Sequence, residues 1–177
     1  MPADTAGITG DFLFERRDAA GNLLETARGH NIVTDIGNQL YGEHGAGVGS
    51  TVAVPTGMRL GTGAVTGANT PANTGTGAAL AAYLPGSGLA LDASYPQSTQ
   101  PAGPGTARVI TYKCTYQAGE GTSAVPITEA VIVNDNITVD SASAAANTIA
   151  RVAVAGISAK GPSDTLTASW QHSLLGS

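Results

Sequence analysis

The glycine-rich run from Gly61 to Gly67 is the part of the sequence whose residue types and spacing come nearest to a phosphate-binding loop. Such loops end in Gly-Lys-Ser/Thr, where the lysine contacts the phosphates and the hydroxyl contacts Mg²⁺. That ending is missing here, the third glycine is one place late for a dinucleotide fingerprint, and no strand-helix-strand unit follows. We therefore interpret the run as a turn in which glycine supplies positive φ angles, and we expect no bound nucleotide or other cofactor.

Histidine and carboxylate residues are not spaced as metal ligands. His30, His44 and His172 are far apart in the sequence, and none has a second ligand at the spacing that zinc sites use. The stretch from Asn134 to Asp140 clusters acidic and amide side chains, but it lacks the central glycine and the closing glutamate of a calcium-binding loop. Because Asn and Asp favour turns, we predict a solvated turn there and no metal site.

The strand pattern brings Glu129 and Arg151 together as a charged pair. Glu129 shares a strand face with Val131 and Val133, and Arg151 lies on the next predicted strand, where it is placed to face Glu129 across the sheet. No second carboxylate accompanies Glu129, so the pattern favours a structural ion pair that fixes the register over a catalytic acid. A nucleophile, a base and an orienting group do not converge in the sequence, and we predict no catalytic residues and no enzyme activity.

Cysteine and the aromatic residues are scarce, and we expect them to serve packing and contacts. Cys114 is the single cysteine, so no intrachain disulfide can form, and the strand pattern places its thiol on the apolar face. Trp170 lies on the apolar face of the last strand, where a core role is favoured and an interface anchor is the alternative. Tyr83 and Tyr95 lie outside the predicted strands and are the other candidate interface residues.

These residues must be positioned by strands, and the segment from Arg108 to Tyr116 gives the clearest strand pattern. It alternates strictly, with Ile110, Tyr112 and Cys114 on one face, which is the period-two pattern of a half-buried strand. We predict that it is the central strand of an antiparallel sheet. Three further strands are predicted after it, at Pro126–Asn134, Thr148–Ala155 and Asp164–Ser173.

The N-terminal half contains a predicted β-hairpin, two further short strands and two short helices. Turn residues from Asp18 to Asn22 separate the two strands of the hairpin. Thr34 or Asp35 is suited to cap the first helix, and Gly42 is suited to end it. The predicted segments are Gly10–Arg17 and Leu23–Thr26 for the hairpin, His30–Val33 and Met58–Gly63 for the strands, and Thr34–Gly42 and Ala78–Leu84 for the helices.

Two long segments have no sustained period and are predicted to be extended arms, at about residues 42–57 and 87–106. The second contains Pro96, Pro101 and Pro104, which remove N–H donors that a central strand needs. Short strands separated by glycine and proline turns are typical of a β-sandwich. We predict a mainly β protein, an antiparallel β-sandwich with one or two short helices and long Gly/Pro-rich loops, in a single domain spanning residues 1–177.

Composition narrows the classes of partner. Only 12% of the residues are charged, and the net charge of -5 comes without a basic cluster, so we predict no nucleic-acid partner. No apolar run approaches the ~18 residues of a membrane span, and Met1–Asp4 lacks the features of a signal peptide. We therefore predict a protein made in the cytoplasm with no membrane partner. The low charge and the 24 glycines favour a subunit whose loops order against copies of itself.

Several short runs, taken in order along the chain, resemble sequences of small structural proteins of tailed bacteriophages. The runs are Asn31–Gly37, Arg59–Gly63, Thr74–Leu80, Tyr112–Gly121, Ile127–Ala130, Ile149–Val152 and Lys160–Trp170. One departure is that Val131, Ile132 and Val133 follow the Thr-Glu-Ala run, where such sequences often have glycine. The resemblance implies a non-enzymatic virion component of the tail, tail fibre or neck, which assembles in symmetric copies with itself and with other virion proteins. It carries over no catalytic residues.

Two other functions stay open from the sequence. A capsid decoration protein that clamps shell subunits would have the same sandwich and arms, and its copy number in the particle would separate it from a tail or neck protein. A carbohydrate-binding adhesin is the other alternative, but sugar-binding surfaces usually present exposed aromatic residues, and only 5% of this sequence is aromatic.

Overall fold

The computed structural model describes residues 8–100, 102 and 106–174, which form ten strands and one α-helix, with three short 3-10 helices in the loops. The helix, α1, is Asp35–Ala46. The strands are β1 Ile8–Arg17, β2 Leu23–His30, β3 Ile32–Val33, β4 Gly57–Gly61, β5 Leu89–Ala90, β6 Gln97–Thr99, β7 Arg108–Tyr116, β8 Ile127–Val133, β9 Thr148–Ile157 and β10 Thr165–Leu174.

The strands build two antiparallel sheets of five strands each, so the predicted β-sandwich is confirmed. The front sheet has the order β2-β1-β10-β7-β6, and the back sheet has the order β3-β9-β8-β4-β5. Strands β1 and β2 form the predicted N-terminal hairpin, with a turn at Asp18–Asn22.

Strand β10 occupies the middle of the front sheet, and its inward side chains pack against those of both neighbours. Trp170 is aligned with Phe12 on β1 and with Tyr112 on β7, and all three residues are at most 2% exposed. The predicted apolar face of β7 is confirmed, since Cys114 and Tyr116 are buried on the same side. Strand β7 is an interior strand, paired with β10 on one side and with the edge strand β6 on the other, but the middle position predicted for it is held by β10.

The inward side chains of the two sheets form one apolar cluster. Burying a large aliphatic or aromatic side chain contributes about 1.5–3 kcal/mol, so this cluster is the main favourable term in holding the sheets together. Its members include Phe12, Phe14, Tyr116, Leu166 and Trp170 from the front sheet, and Met58, Leu60, Ala130, Ile132 and Val152 from the back sheet.

Helix α1 is capped as predicted at its start but runs one turn further than predicted. The Thr34 hydroxyl oxygen accepts a hydrogen bond from the Gly37 N–H at 3.1 Å, as an N-cap residue does. The helix continues past Gly42 and ends at Gly47, which has a φ of 69° and donates its N–H to the carbonyl of His44. Of the glycines that follow, Gly47 takes the left-handed conformation, so the first five residues of the arm predicted at 42–57 belong to the helix.

The predicted arm at residues 87–106 is instead a strap that joins the two sheets over most of its described length. Its first part, β5, pairs with β4 in the back sheet, and its second part, β6, pairs with β7 in the front sheet. Between them, Asp92 accepts from the N–H and the hydroxyl of Thr115 at 2.8 and 2.6 Å, which satisfies the edge of β7. Pro101, Gly103, Pro104 and Gly105 of the predicted arm lie outside the described residues, as does Met1–Asp4.

The predicted helix at Ala78–Leu84 is wrong. A 3-10 helix covers Gly75–Ala78, and the chain then passes through bends to Tyr83, which forms an isolated bridge with Gly61. In the described ranges, no helix has both the length and the apolar character that crossing a bilayer requires.

Candidate functional site

Glu129 and Arg151 form a fully buried ion pair on the outer face of the back sheet. Nη2 of Arg151 lies 2.7 Å from Oε2 of Glu129, and neither side chain has exposed surface. The pair predicted from the strand pattern is therefore present, on the adjacent strands β8 and β9. Because removing two charges from water is costly, such a pair is stable only where further hydrogen bonds satisfy both partners.

The pair makes its further hydrogen bonds to one loop, residues 64–84, although Nε of Arg151 has no hydrogen-bond partner within the described residues. The Glu129 carboxylate accepts hydrogen bonds from the N–H groups of Ala81 and Ala82 at 3.0 and 3.1 Å. Arg151 donates to three backbone carbonyl oxygens of the same loop, those of Asn69, Thr76 and Gly77. The ion pair thus holds this glycine-rich loop against the sheet. It also explains the missing helix, because the two N–H groups that would lie inside that helix bond Glu129 instead.

Arg59 does the same for a second loop, residues 134–147, and sequence reasoning missed it. The side chain is 1% exposed. Its guanidinium donates to the carbonyl oxygens of Asn136 and Val139 at 3.1 and 2.8 Å, and Nη2 lies 3.3 Å from a carboxylate oxygen of Asp135. The stretch predicted as a solvated turn therefore also supplies the groups that bond the buried guanidinium of Arg59. The available signal was an arginine inside a five-residue strand whose other members are glycine, methionine and leucine.

Tyr83, a candidate interface residue, belongs to the same polar cluster. Its hydroxyl donates to the Asp140 carboxylate at 2.6 Å, and the Gly86 N–H donates to the same oxygen at 2.7 Å. The bond from Gly86, followed by the bond from Tyr83, lowers the pKa of Asp140. The ring of Tyr83 lies 5.6 Å from the Arg59 guanidinium carbon. Tyr83 is thus half-buried by its own chain and fixed in place.

The other two candidate interface residues differ in exposure. Trp170 is fully buried and packs edge-to-face on Phe12, with ring centroids 4.9 Å apart, so it is a core residue and presents no anchor on the surface. Its position in the middle strand of the front sheet is the physical reason. Tyr95 is half-buried in the strap, with Nζ of Lys113 5.9 Å from its ring centroid.

A chain of buried polar side chains links α1 to the inner face of the front sheet. Nε2 of His172 lies 3.0 Å from the Asn31 amide nitrogen, and Nδ1 lies 2.6 Å from the Tyr41 hydroxyl. The Tyr41 hydroxyl lies 2.7 Å from that of Tyr112. Sequence reasoning missed this chain. The signal was His172 itself, which follows Trp170 at strand spacing on the apolar face.

The direction of the hydrogen bonds in this chain follows from the neutral state of His172. The residue has no exposed surface, and burial lowers the pKa of His172 to about 4. An amide nitrogen only donates, so Asn31 donates to Nε2, and the ring proton on Nδ1 is donated to the Tyr41 oxygen. The Tyr41 hydrogen is then donated to Tyr112. Burial raises the pKa of Tyr41 far above its ordinary value, and the neighbouring Tyr112 and the hydrogen bond to it act in the same direction.

The chain ends at a pocket of about 490 Å³ between α1, β6 and β7. Leu40 and Tyr112 are at most 3% exposed and form the floor, whereas Val54 at 62% belongs to the rim. Most of the lining is apolar, and polar groups are few. The lining residues are Leu40, Tyr41, His44, Val54, Pro55, Pro96, Gln97, Ser98, Ile110 and Tyr112.

The outer surfaces of the two sheets differ. The back sheet is covered by the two loops that the buried charges hold, and β8 is buried along both faces. The outer face of the front sheet carries polar and hydroxyl side chains, including Asp11, Arg28, Ser169 and Gln171, and these line shallow clefts. In the part of the chain that the structure describes, no three His, Cys, Asp or Glu residues are grouped to hold a metal ion.

Six large aliphatic residues are exposed in the part of the chain that the structure describes. Leu23 and Leu24, each about half exposed, lie beside the β1–β2 turn, and Val125 lies in the neighbouring β7–β8 connection. Val54 lies on the rim of the pocket, Val48 follows the C-cap of α1, and Val139 lies in the loop over the back sheet.

Comparisons with known proteins gave no match to a family model, to a curated protein or to a solved structure.

Proposed function

We propose that this protein is a non-enzymatic structural subunit of a tailed-bacteriophage virion, located at the tail or neck, and that it assembles in symmetric copies. The sequence runs that resemble phage structural proteins support the assignment to a virion. The structural observation that carries the proposal is the use of the buried charges. Arg59, Glu129 and Arg151 bond backbone groups of the chain's own loops.

Those contacts suit a rigid building block better than an active site. A catalytic acid or base must reach a substrate, whereas Glu129 has no exposed surface and its oxygens bond Arg151 and two backbone N–H groups. A further buried cation, Lys160, donates to the carbonyl of Gln117 and ties together two connections at one end of the sandwich. Loops that are fixed before docking lose less conformational entropy when subunits assemble.

The exposed aliphatic residues support self-assembly. Leu23, Leu24 and Val125 give each subunit one exposed apolar end, and Val54, with the apolar pocket whose rim it forms, gives it a second. Contacts between unlike patches of identical subunits are heterologous, and they produce rings when the rotation closes. This is the symmetry that a ring in a tail or neck would use.

Self-assembly is tested by changing one end. We expect Leu24→Asp to weaken self-association measured by sedimentation velocity, because it places a charge in an apolar contact. Thr26→Asp is the matched control, since Thr26 is also exposed on β2. If the wild-type protein is monomeric up to high micromolar concentration, or if both variants behave alike, the two apolar ends do not mediate assembly.

The second candidate is a capsid decoration protein, and the uncovered outer face of the front sheet favours it. That face is broad and polar, and residues such as Arg28 and Gln171 are exposed on it. A surface of this kind is suited to lie flat on a shell, with hydrogen bonds spread over its area.

Quantitative mass spectrometry of purified particles tests the proposal and separates the two candidates. A tail or neck subunit is expected in one or a few rings, and so at about a dozen copies or fewer in each particle. A decoration protein is expected in hundreds of copies. Absence of the protein from purified particles would refute both virion assignments.

A further inference from the structure

We propose that the pocket between α1, β6 and β7 is a binding site for a compact apolar molecule that carries one hydrogen-bond acceptor, such as a ketone or ether oxygen. The site goes beyond the structural function proposed above and does not depend on it. The proposal stands on two independent observations. The first is the shape and lining of the pocket, and the second is the hydroxyl hydrogen of Tyr112 on its floor, which the polar chain leaves available to donate.

The shape and lining fit a small ligand. The volume of about 490 Å³ lies within the range of roughly 300–1,000 Å³ that is typical of small-molecule sites. The floor is buried at Leu40 and Tyr112, and the rim is exposed at Val54, so a ligand can enter from solvent and lose most of its own exposure. Apolar walls from Pro55 and Ile110 favour an apolar body.

The hydrogen bonding on the floor specifies the polar part of the ligand. Each hydrogen of the chain from Asn31 through His172 and Tyr41 is donated towards Tyr112, because the Asn31 amide nitrogen can only donate to Nε2 and a neutral imidazole then carries its one hydrogen on Nδ1. The Tyr112 oxygen receives the Tyr41 hydrogen at 2.7 Å. Burial raises the pKa of Tyr112, and its hydrogen bond with Tyr41 acts in the opposite direction.

The Tyr112 hydroxyl therefore has its own hydrogen left to donate. Within the described residues, it has no hydrogen-bonded acceptor for that hydrogen. An unmade hydrogen bond at a residue only 2% exposed costs free energy, and an acceptor on a ligand in the pocket that Tyr112 lines would recover it. A ligand that offers only donors would not.

Acetophenone and ethylbenzene form a suitable probe pair, because they have nearly the same shape and only the first has an acceptor oxygen. Binding is measured on the full chain by NMR titration, with chemical-shift changes assigned to the pocket residues. We expect both probes to bind in the wild-type protein. In Tyr112→Phe, the ratio of acetophenone affinity to ethylbenzene affinity should fall about two- to tenfold, the value of one net hydrogen bond. The affinity for ethylbenzene should change little.

Two exposed valines supply a matched control for the location. Val54→Asp places a carboxylate on the rim and should weaken both probes, whereas Val48→Asp, at a valine that is 56% exposed and does not line the pocket, should leave both unchanged. Because both positions are exposed, both variants should fold. Tyr83→Phe controls for loss of a tyrosine hydroxyl elsewhere and should keep the wild-type ratio. Absence of shifts at the pocket with either probe, or an unchanged ratio in Tyr112→Phe, would overturn the proposal.

Discussion

Acidification from pH 7 to pH 4 should remove the part of the protein's stability that comes from keeping one buried side chain, His172, neutral. In the unfolded chain this histidine binds a proton near its ordinary pKa of 6.5, whereas burial lowers the pKa of His172 in the folded protein to about 4. Between these two values the unfolded state binds a proton that the folded state does not. The free energy of unfolding therefore keeps its full value above this window, falls as the pH is lowered through it, and levels off below it.

The magnitude follows from the distance between the two pKa values. At about 1.4 kcal/mol for each pH unit between them, the loss is about 3 kcal/mol. The residue has no exposed surface, so solvent screening does not reduce this figure. The groups that contact the imidazole are Asn31, Tyr41 and the rings of Tyr112 and Trp170, and none of them titrates between pH 4 and pH 7.

Urea denaturation followed by tryptophan fluorescence measures this effect, since Trp170 is the single tryptophan and is buried. The comparison is with His172→Gln, which keeps a donor and an acceptor but does not titrate. The difference in unfolding free energy between wild type and His172→Gln should shift by about 3 kcal/mol between pH 7 and pH 4. His30→Gln, at a histidine side chain that is 91% exposed and pairs with the exposed Asp11, should change the curve much less, because exposed pairs contribute little. Parallel curves for wild type and His172→Gln would refute the reasoning.

Three further predictions concern the core and the helix. Glu129→Gln should destabilise by about 3–5 kcal/mol in urea denaturation because it leaves a buried arginine unpaired, whereas Glu15→Gln, at a partly exposed pair, should cost about 1 kcal/mol or less. Equal effects would mean that the buried pair does not hold the loop. Burial raises the pKa of Cys114, so its thiol should react with a disulfide reagent at pH 8 only after denaturation, and rapid reaction of the native protein would contradict its placement. A Cβ on Gly37 would lie 2.2 Å from a backbone carbonyl oxygen, so Gly37→Ala should lower the melting temperature, whereas Gly42→Ala, which meets nothing within 4 Å, should raise it slightly. A tolerated Gly37→Ala would mean that the helix packs less closely than described.

The period-two pattern made the strands and the sandwich predictable. Strand β7 could be found because its side chains alternate between a buried face and a half-exposed face. The same logic does not reveal that β8 is buried on both sides. Its outer face holds Glu129 and Val131, and it is covered by a loop that lies far away in the sequence. Only the folded chain brings that loop to the sheet.

Competing local signals explain the errors in the helices. Gly42 resembles a C-cap in the sequence, but it remains helical, and Gly47 takes the left-handed conformation. The alanine-rich run near Ala81 has good helix propensity. Its N–H groups instead bond a carboxylate 48 positions away, and tertiary contacts of this kind outweigh propensity.

The polar chain could not be predicted because its members are distant in the sequence. Tyr41 and His172 are separated by 131 positions and Tyr41 and Tyr112 by 71 positions. Each residue alone fits a core position on a strand or helix. The directional sequence of donors and acceptors exists only once the fold has placed them side by side.

Arg151 recognises its loop through main-chain carbonyl oxygens at residues 69, 76 and 77. Every amino acid supplies such an oxygen, so side-chain changes at residues 69 and 76 need not break the attachment, whereas a Cβ on Gly77 would lie 2.7 Å from the carbonyl oxygen of Thr70. The path of the loop thus depends little on its side chains, provided that the new residues can adopt the backbone conformations of the turns. Proteins with this fold can therefore change the side chains on that surface, and so the contacts that the loop makes, while the sheets beneath it keep their structure.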